Sequence, residues 1–158
     1  MALALGLAFG SGCGAARRVS IPSPRPVEPV QEEHLGDKVA RMAKAYVGVP
    51  YRYGGESPQG FDCSGLTYYV YGRYGYSLPR SADEQVRVGR WVPRKELQPG
   101  DLVFFRVPWN KSYHVGIFMG RGRFIHAPRT GKRVEVQSLD QGYYQHNYYT
   151  ARRIINEG

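Results

Sequence analysis

The chain has 158 residues, enough for one ordinary domain with a core of its own and too few for two comfortable ones. A hydrophobic fraction of 42% and 13 tyrosines exclude an intrinsically disordered chain, which lacks the apolar surface needed to offset ordering entropy. The formal net charge of +9 favours an anionic partner, but no helix-turn-helix, zinc-finger or RNA-binding signature accompanies the scattered arginines, so no nucleic acid partner is expected. A basic surface that only confers solubility accounts for the charge equally well.

The chain opens on an almost unbroken apolar run, Ala2 to Phe9, followed by Gly10, Ser11, Gly12 and Cys13. At less than half of the roughly 20 apolar residues that span a bilayer, the run reads as a short export signal. Small residues directly before a cysteine resemble the lipobox of bacterial lipoproteins. That resemblance implies cleavage of the leader in residues 1–13, a lipid on Cys13, and an exported envelope protein. Gly14 is not the aspartate of inner-membrane retention, so the periplasmic face of the outer membrane is expected. Residues 14–33 follow as a linker in which Pro22, Pro24, Pro26 and Pro29 make a semi-extended tether. The domain then occupies 34–158.

Leu35, Val39, Met42, Ala43 and Tyr46 recur at helical spacing and predict an amphipathic helix over Glu33 to Val47, stopped before Pro50. Asp62 is a favourable N-cap, and Leu66, Val70 and Tyr74 share one face, so a second helix is expected from Cys63 to about Gly75. Ser81-Ala82-Asp83-Glu84 fits a capping box opening a short third helix, and Pro99-Gly100 closes the helical half. Strands are predicted at Leu102–Arg106, Tyr113–Met119, Arg123–Ala127, Arg133–Val136 and Tyr148–Ile155. Helices first and strands afterwards indicate an α+β fold with an antiparallel sheet.

Cys63 falls in the first turn of the second helix, where free backbone amides and the helix dipole favour a thiolate, so a lowered thiol pKa is expected. An isolated cysteine would more often be an inert core residue. Two histidines change that weighting. If Gly120-Arg121-Gly122 is a three-residue loop, Met119 faces Arg123, Gly116 faces His126, and His114 lies diagonally beside His126 on one face, with Gly116 leaving room for the second ring. A two-residue turn would instead put the rings on opposite faces. On one face, His114 serves as base to Cys63 and His126 orients it.

In order and spacing, the segments Pro50-Tyr51-Arg52-Tyr53-Gly54-Gly55, Phe61-Asp62-Cys63-Ser64-Gly65-Leu66, Leu78-Pro79-Arg80-Ser81-Ala82, Pro99-Gly100-Asp101-Leu102-Val103-Phe104-Phe105, His114-Val115-Gly116-Ile117 and Phe124-Ile125-His126-Ala127 resemble the NlpC family of papain-like bacterial cell-wall endopeptidases. The resemblance runs from about Leu35 to Ile155. It implies a papain-like fold with the catalytic cysteine at a helix N-terminus against an antiparallel sheet, Cys63 as nucleophile, His114 as base and His126 as the third residue. It further implies that Tyr51 brings its phenol to the site and that Asp62, Ser64 and Ser81 help bind the stem peptide. For Asp62 and Ser81 helix capping is a competing role that excludes neither.

The reaction this resemblance implies is hydrolysis of an amide bond in murein stem peptides, at a D-glutamyl or diaminopimelyl linkage, and a monomer without cofactor is expected. A Cys63–His114–His126 zinc site is the rival enzymatic reading, although histidines on separate strands do not match a metalloprotease helix motif. The same residues are also compatible with a non-catalytic wall-binding lipoprotein, or with an acyltransferase that passes the thioacyl intermediate to an amine.

Overall fold

The helical spacing of the N-terminal segment is realised as α1, Leu35–Ala45, with Val39, Ala40 and Ala43 buried along one stripe. The structure, a computed structural model, describes residue 10 and residues 33–155. The apolar start other than residue 10, Cys13 and the proline-rich stretch up to residue 32 lie outside the described residues. No helix among the described residues is long and apolar enough to cross a membrane.

A short ribbon, β1 (Glu56–Ser57) paired with β2 (Gly60–Phe61), leads into α2, Cys63–Gly72. Two-residue strands carry no alternation to read, so the ribbon leaves no sign in the sequence. Helix α2 starts where expected, because the Asp62 carboxylate accepts the Gly65 N–H at 2.6 Å. It stops short of Gly75, since Tyr74 and Gly75 bond back three residues to Tyr71 and Gly72 and tighten the last turn. Ser81 caps α3, Ala82–Gln85, accepting the Glu84 N–H at 3.3 Å. The reciprocal bond differs from a standard capping box: the Ser81 hydroxyl itself donates to the Glu84 carboxylate at 2.6 Å.

The second half forms a six-stranded sheet of β3 (Arg90–Trp91), β4 (Leu102–Val107), β5 (Ser112–Gly120), β6 (Arg123–His126), β7 (Glu135–Ser138) and β8 (Tyr148–Arg153). Their spatial order is β3-β8-β4-β5-β6-β7, with every neighbouring pair antiparallel. The strand expected at Arg133–Val136 begins two residues later. Lys132 and Val134 instead bond to Tyr51, Val49 and Gly48, which ties the approach to α2 onto this edge. Between β7 and β8 lies α4, Gly142–Asn147, whose sequence shows no helical period.

Period-two alternation gives the sheet two apolar faces. Leu102, Phe104, Val115, Ile117 and Ile125 pack with Val39, Leu66 and Val70 of the helices. Val103, Phe105, Phe118, Phe124 and Ala151 face the other way, against Leu139, Tyr144 and Tyr148. Each fully buried leucine or phenylalanine contributes about 1.5–3 kcal/mol of transfer free energy, so α2 is held on the sheet by core packing as well as by its cap. The α+β class read from the sequence is the one observed.

Candidate active site

Strand β6 covers only the second half of β5, pairing Ile125 with Ile117 and Phe124 with Phe118, and ends at His126. Phe118 bonds through its backbone to Gly100 and Asp101 on the β4 side. Bonding direction alternates along an antiparallel strand, so the N–H groups of Val115 and Tyr113 point to the side that β6 has vacated. The helical half fills that edge. The Cys63 sulfur accepts from the Val115 N–H, and Asp83 Oδ1 of α3 accepts from the Tyr113 N–H at 2.9 Å. The first residue of α2 is thereby seated on the residue next to His114.

The β5–β6 turn corrects the sequence reading. Gly120 pairs with Arg123, leaving a two-residue turn in which Arg121 (φ 55°) and Gly122 (φ 66°) are both left-handed. That alone would have separated the histidines. A bulge at Met119 adds one residue and restores the register, so beyond it Gly116 again stands opposite His126. His114 and His126 share one face, with His114 Nε2 and His126 Nδ1 2.7 Å apart. Gly116 is needed for a different ring from the one expected. A Cβ there would lie 2.6 Å from Phe124 Cδ2, and Phe124 in turn packs against His126 at 4.8 Å between centroids.

Burial governs the protonation of the group. The imidazole of His114 is pushed down to about 4 by burial, and His126, fully buried, is held well below its usual range by burial and then by His114. Cys63 departs from the sequence expectation. Its thiol is pushed up to about 11, because burial and the Asp62 carboxylate outweigh the backbone N–H groups of Val115, Ser64 and Cys63 that lower it. At rest the Cys63 thiol and the His114 imidazole are both neutral.

Asp62 does more than cap α2. Its Oδ1 accepts from Gly65 N–H and Arg80 Nη1 (2.9 Å), and its Oδ2 from Gly54 N–H (3.0 Å) and Arg80 Nη2 (2.9 Å). Ser64 Oγ donates to Asp62 Oδ1 at 3.3 Å and accepts from Arg80 Nη1 at 3.1 Å. Behind them the buried Gln85 accepts from Thr67 Oγ1 at 2.7 Å and donates to the carbonyls of Ser64 (3.1 Å) and Pro79 (2.8 Å), binding α3 to the start of α2. In front, Tyr51, Asp62, Cys63, Ser64, Arg80 and Ser81 line a cleft of about 410 Å3. The Tyr51 phenol is raised by burial and by Cys63 and Asp62. A larger hollow of about 470 Å3, lined by Asp37, Tyr71, Asp101 and Arg153, contains none of these groups. Within it Arg153 is bound bidentately to Asp101 at 2.7 Å, and the Tyr71 hydroxyl donates to Gly100 O. Among the described residues no group of three His, Cys, Asp or Glu side chains is placed to hold a metal ion.

Residues 48–153 match the NlpC/P60 family, which covers the cleft, both histidines and the whole sheet. The chain belongs to the NlpC/P60 family. It is 36% identical over 80% of its length to the gamma-D-glutamyl-L-lysine dipeptidyl-peptidase of Bacillus subtilis, covering 44% of that protein. To the murein DD-endopeptidase MepH of Escherichia coli it is 46% identical over 69% of its length, covering 42% of that relative. The chain thus spans less than half the length of these two curated relatives. The crystal structure of a Bacillus cereus NlpC/P60 protein superposes with a TM-score of 0.71 at 38% identity, over 75% of this chain and 39% of the other. The papain-like arrangement expected from the sequence is the one shared with that structure.

Within this NlpC/P60 domain the seven residues singled out from the sequence fall into two groups: His114 with His126, and Cys63 with Tyr51, Asp62, Ser64 and Ser81 along the cleft. Between the groups stands Val115, whose N–H meets the Cys63 sulfur one residue along β5 from His114. Sequence reasoning missed Arg80, read only as part of a motif, because its partner Asp62 lies 18 residues away and no local pattern links the two. It also missed Tyr144. That ring stands edge-on to His126 at 5.0 Å, and its phenol is pushed up to about 12 by burial and by Glu135.

Proposed function

We propose that the domain hydrolyses amide bonds of murein stem peptides, with Cys63 as nucleophile, His114 as general base and acid, and His126 as the residue that orients His114. The observations that carry this reading are the 2.7 Å contact between the two imidazoles and the seating of the Cys63 sulfur on the Val115 N–H, one residue along β5 from His114. His114 uses Nε2 on His126, which leaves Nδ1 to take the thiol proton. Because the thiol rests neutral, proton removal accompanies attack of Sγ on the amide carbonyl. The new C–S bond gives a tetrahedral oxyanion. The Cys63 backbone N–H at the helix start and the Tyr51 hydroxyl are the donors offered to it. Collapse breaks the C–N bond as His114 returns the proton to the leaving amine, and the same imidazole then activates water to release the acid and the thiol.

The cleft wall formed by Tyr51, Asp62, Ser64 and Ser81 supports these residues as the surface along which the stem peptide lies. The relatives named for γ-D-glutamyl and murein substrates support a D-glutamyl or diaminopimelyl linkage as the bond cut. The domain is taken to begin at about residue 34, and the reading places it in the cell envelope as a monomer. A lipid on Cys13 and a tether over residues 14–33 would hold it at the periplasmic face of the outer membrane. Support for the anchor is the sequence before Cys13 alone. The test is purified murein incubated with the wild-type domain and with Cys63→Ala, with soluble fragments identified by mass. Free stem-peptide fragments from the wild type only are expected. Fragments from neither would identify a binder, and amine-linked products a transferase.

A further inference from the structure

In the β6–β7 ladder Glu135 stands directly opposite His126. Directly opposed residues carry their side chains about 5 Å apart on the same face. The Glu135 carboxylate accordingly reaches to 3.7 Å from His126 Nε2. That nitrogen is buried and has no hydrogen-bond partner among the described residues. A buried ring nitrogen without a partner loses its hydration, so the charge of the nearest group decides whether it carries a proton. Glu135 is half-exposed, and its Oε1 also accepts from Gln137 Nε2 at 3.3 Å, which steadies it from its own strand.

The His114–His126 contact has two tautomeric forms. In one, His114 Nε2–H donates to His126 Nδ1, the His126 proton is on Nε2, and His114 Nδ1 keeps a lone pair. In the other, His126 Nδ1–H donates to His114 Nε2, which forces the single ring proton of His114 onto Nδ1 and leaves no base for the thiol. We infer that Glu135 is a positioning residue that selects the first form, by holding a negative charge against His126 Nε2–H. In the second form a lone pair on Nε2 would face that charge, which is repulsive. Through turnover the Cys63 proton moves to His114 Nδ1 and back to the leaving amine, while the His126 proton stays on Nε2.

The consequence of this assignment for kcat rests on the hydrolytic reading, and its spectroscopic test does not. Long-range proton–nitrogen correlation spectra of the wild type, Glu135→Gln and Glu135→Leu distinguish protonated from bare ring nitrogens without substrate. The wild type is expected to show His126 protonated on Nε2 and His114 bare on Nδ1. Glu135→Leu, which removes the acceptor, should mix the two tautomers and lower kcat on soluble stem peptides about tenfold with KM unchanged, the low end for outer groups that orient a functional histidine. Glu135→Gln keeps a neutral acceptor and should fall between. Thermal melts establish that each variant is folded. A proton on His126 Nδ1 in the wild type, or an unmoved tautomer ratio or unmoved kcat in Glu135→Leu, would overturn the assignment. If the wild type cuts no murein while the tautomers shift as stated, the hydrolytic reading fails and the tautomer assignment stands.

Discussion

Asp62 and Arg80 form the joint on which the cleft depends, and replacing either has a magnitude that follows from their contacts. In Asp62→Ala, α2 loses its cap, which costs about 1 kcal/mol. The variant also loses the two 2.9 Å contacts from Arg80. Charge-assisted bonds of this kind are worth about 1.5–3 kcal/mol when sheltered. Arg80 is 34% exposed and also bonds Glu56 at 2.8 Å, so the lower end applies. The expected destabilisation is about 2.5 kcal/mol, or a fall in Tm of about 8 °C for a domain of this size. A double-mutant cycle with Asp62→Asn and Arg80→Gln separates the pair from the cap, because asparagine keeps an acceptor for the Gly65 N–H. Chemical denaturation of the four proteins should return a coupling of about 1.5 kcal/mol. A coupling near zero, with Tm unchanged in Asp62→Asn, would show that the joint contributes nothing and that Asp62 is free for other work.

Alkylation of Cys63 by iodoacetamide, followed by peptide mapping, should quicken about tenfold per pH unit above neutrality, since only the thiolate reacts. The rise should continue toward the thiol's pKa of about 11, and a plateau from pH 6 upward would contradict the neutral resting pair. The His114 pKa of about 4 lies below its unfolded value near 6.5, so above pH 6.5 both states are neutral and His114 adds no slope. Between pH 6.5 and 4 only the unfolded chain takes up the proton, and stability should fall by about 3 kcal/mol. Denaturation at pH 7 and 4.5 should show a shallower fall in His114→Gln, and equal falls would refute the burial argument. In Gly65→Ala the new Cβ would sit 1.9 Å from Gly55 O and 2.9 Å from Asp62 Oδ1. Backbone and cap must both move, so the loss should be about 3 kcal/mol or more by thermal melt, and a Tm within about 2 °C of wild type would contradict the packing.

What the sequence made legible was local. The Asp62 cap, the α1 stripe and the period-two strands β4 and β5 each depend on residues a few positions apart, and they appear where expected. The histidine pair was reached by correct parity through an incorrect loop, because the bulge at Met119 and the left-handed Arg121 compensate each other and neither residue type announces its role. The thiol was misjudged for a physical reason. A helix N-terminus is visible in sequence, whereas the protein packed around the sulfur comes from a strand some 50 residues away. Arg80 and Tyr144 escaped for the same reason: their partners, Asp62 and His126, are 18 positions away, and the helix carrying Tyr144 shows no helical period.

The central claim is that Cys63 forms a covalent bond to the acyl half of a stem peptide, and rapid acid quenching with mass analysis of the protein tests it most directly. With a murein stem peptide in excess, the wild type should gain the mass of the acyl fragment, mapped to the peptide containing Cys63. His114→Gln should gain it more slowly and Cys63→Ala not at all. Hydrolysis that proceeds with no adduct at any quench time, and survives Cys63→Ala, would contradict the account.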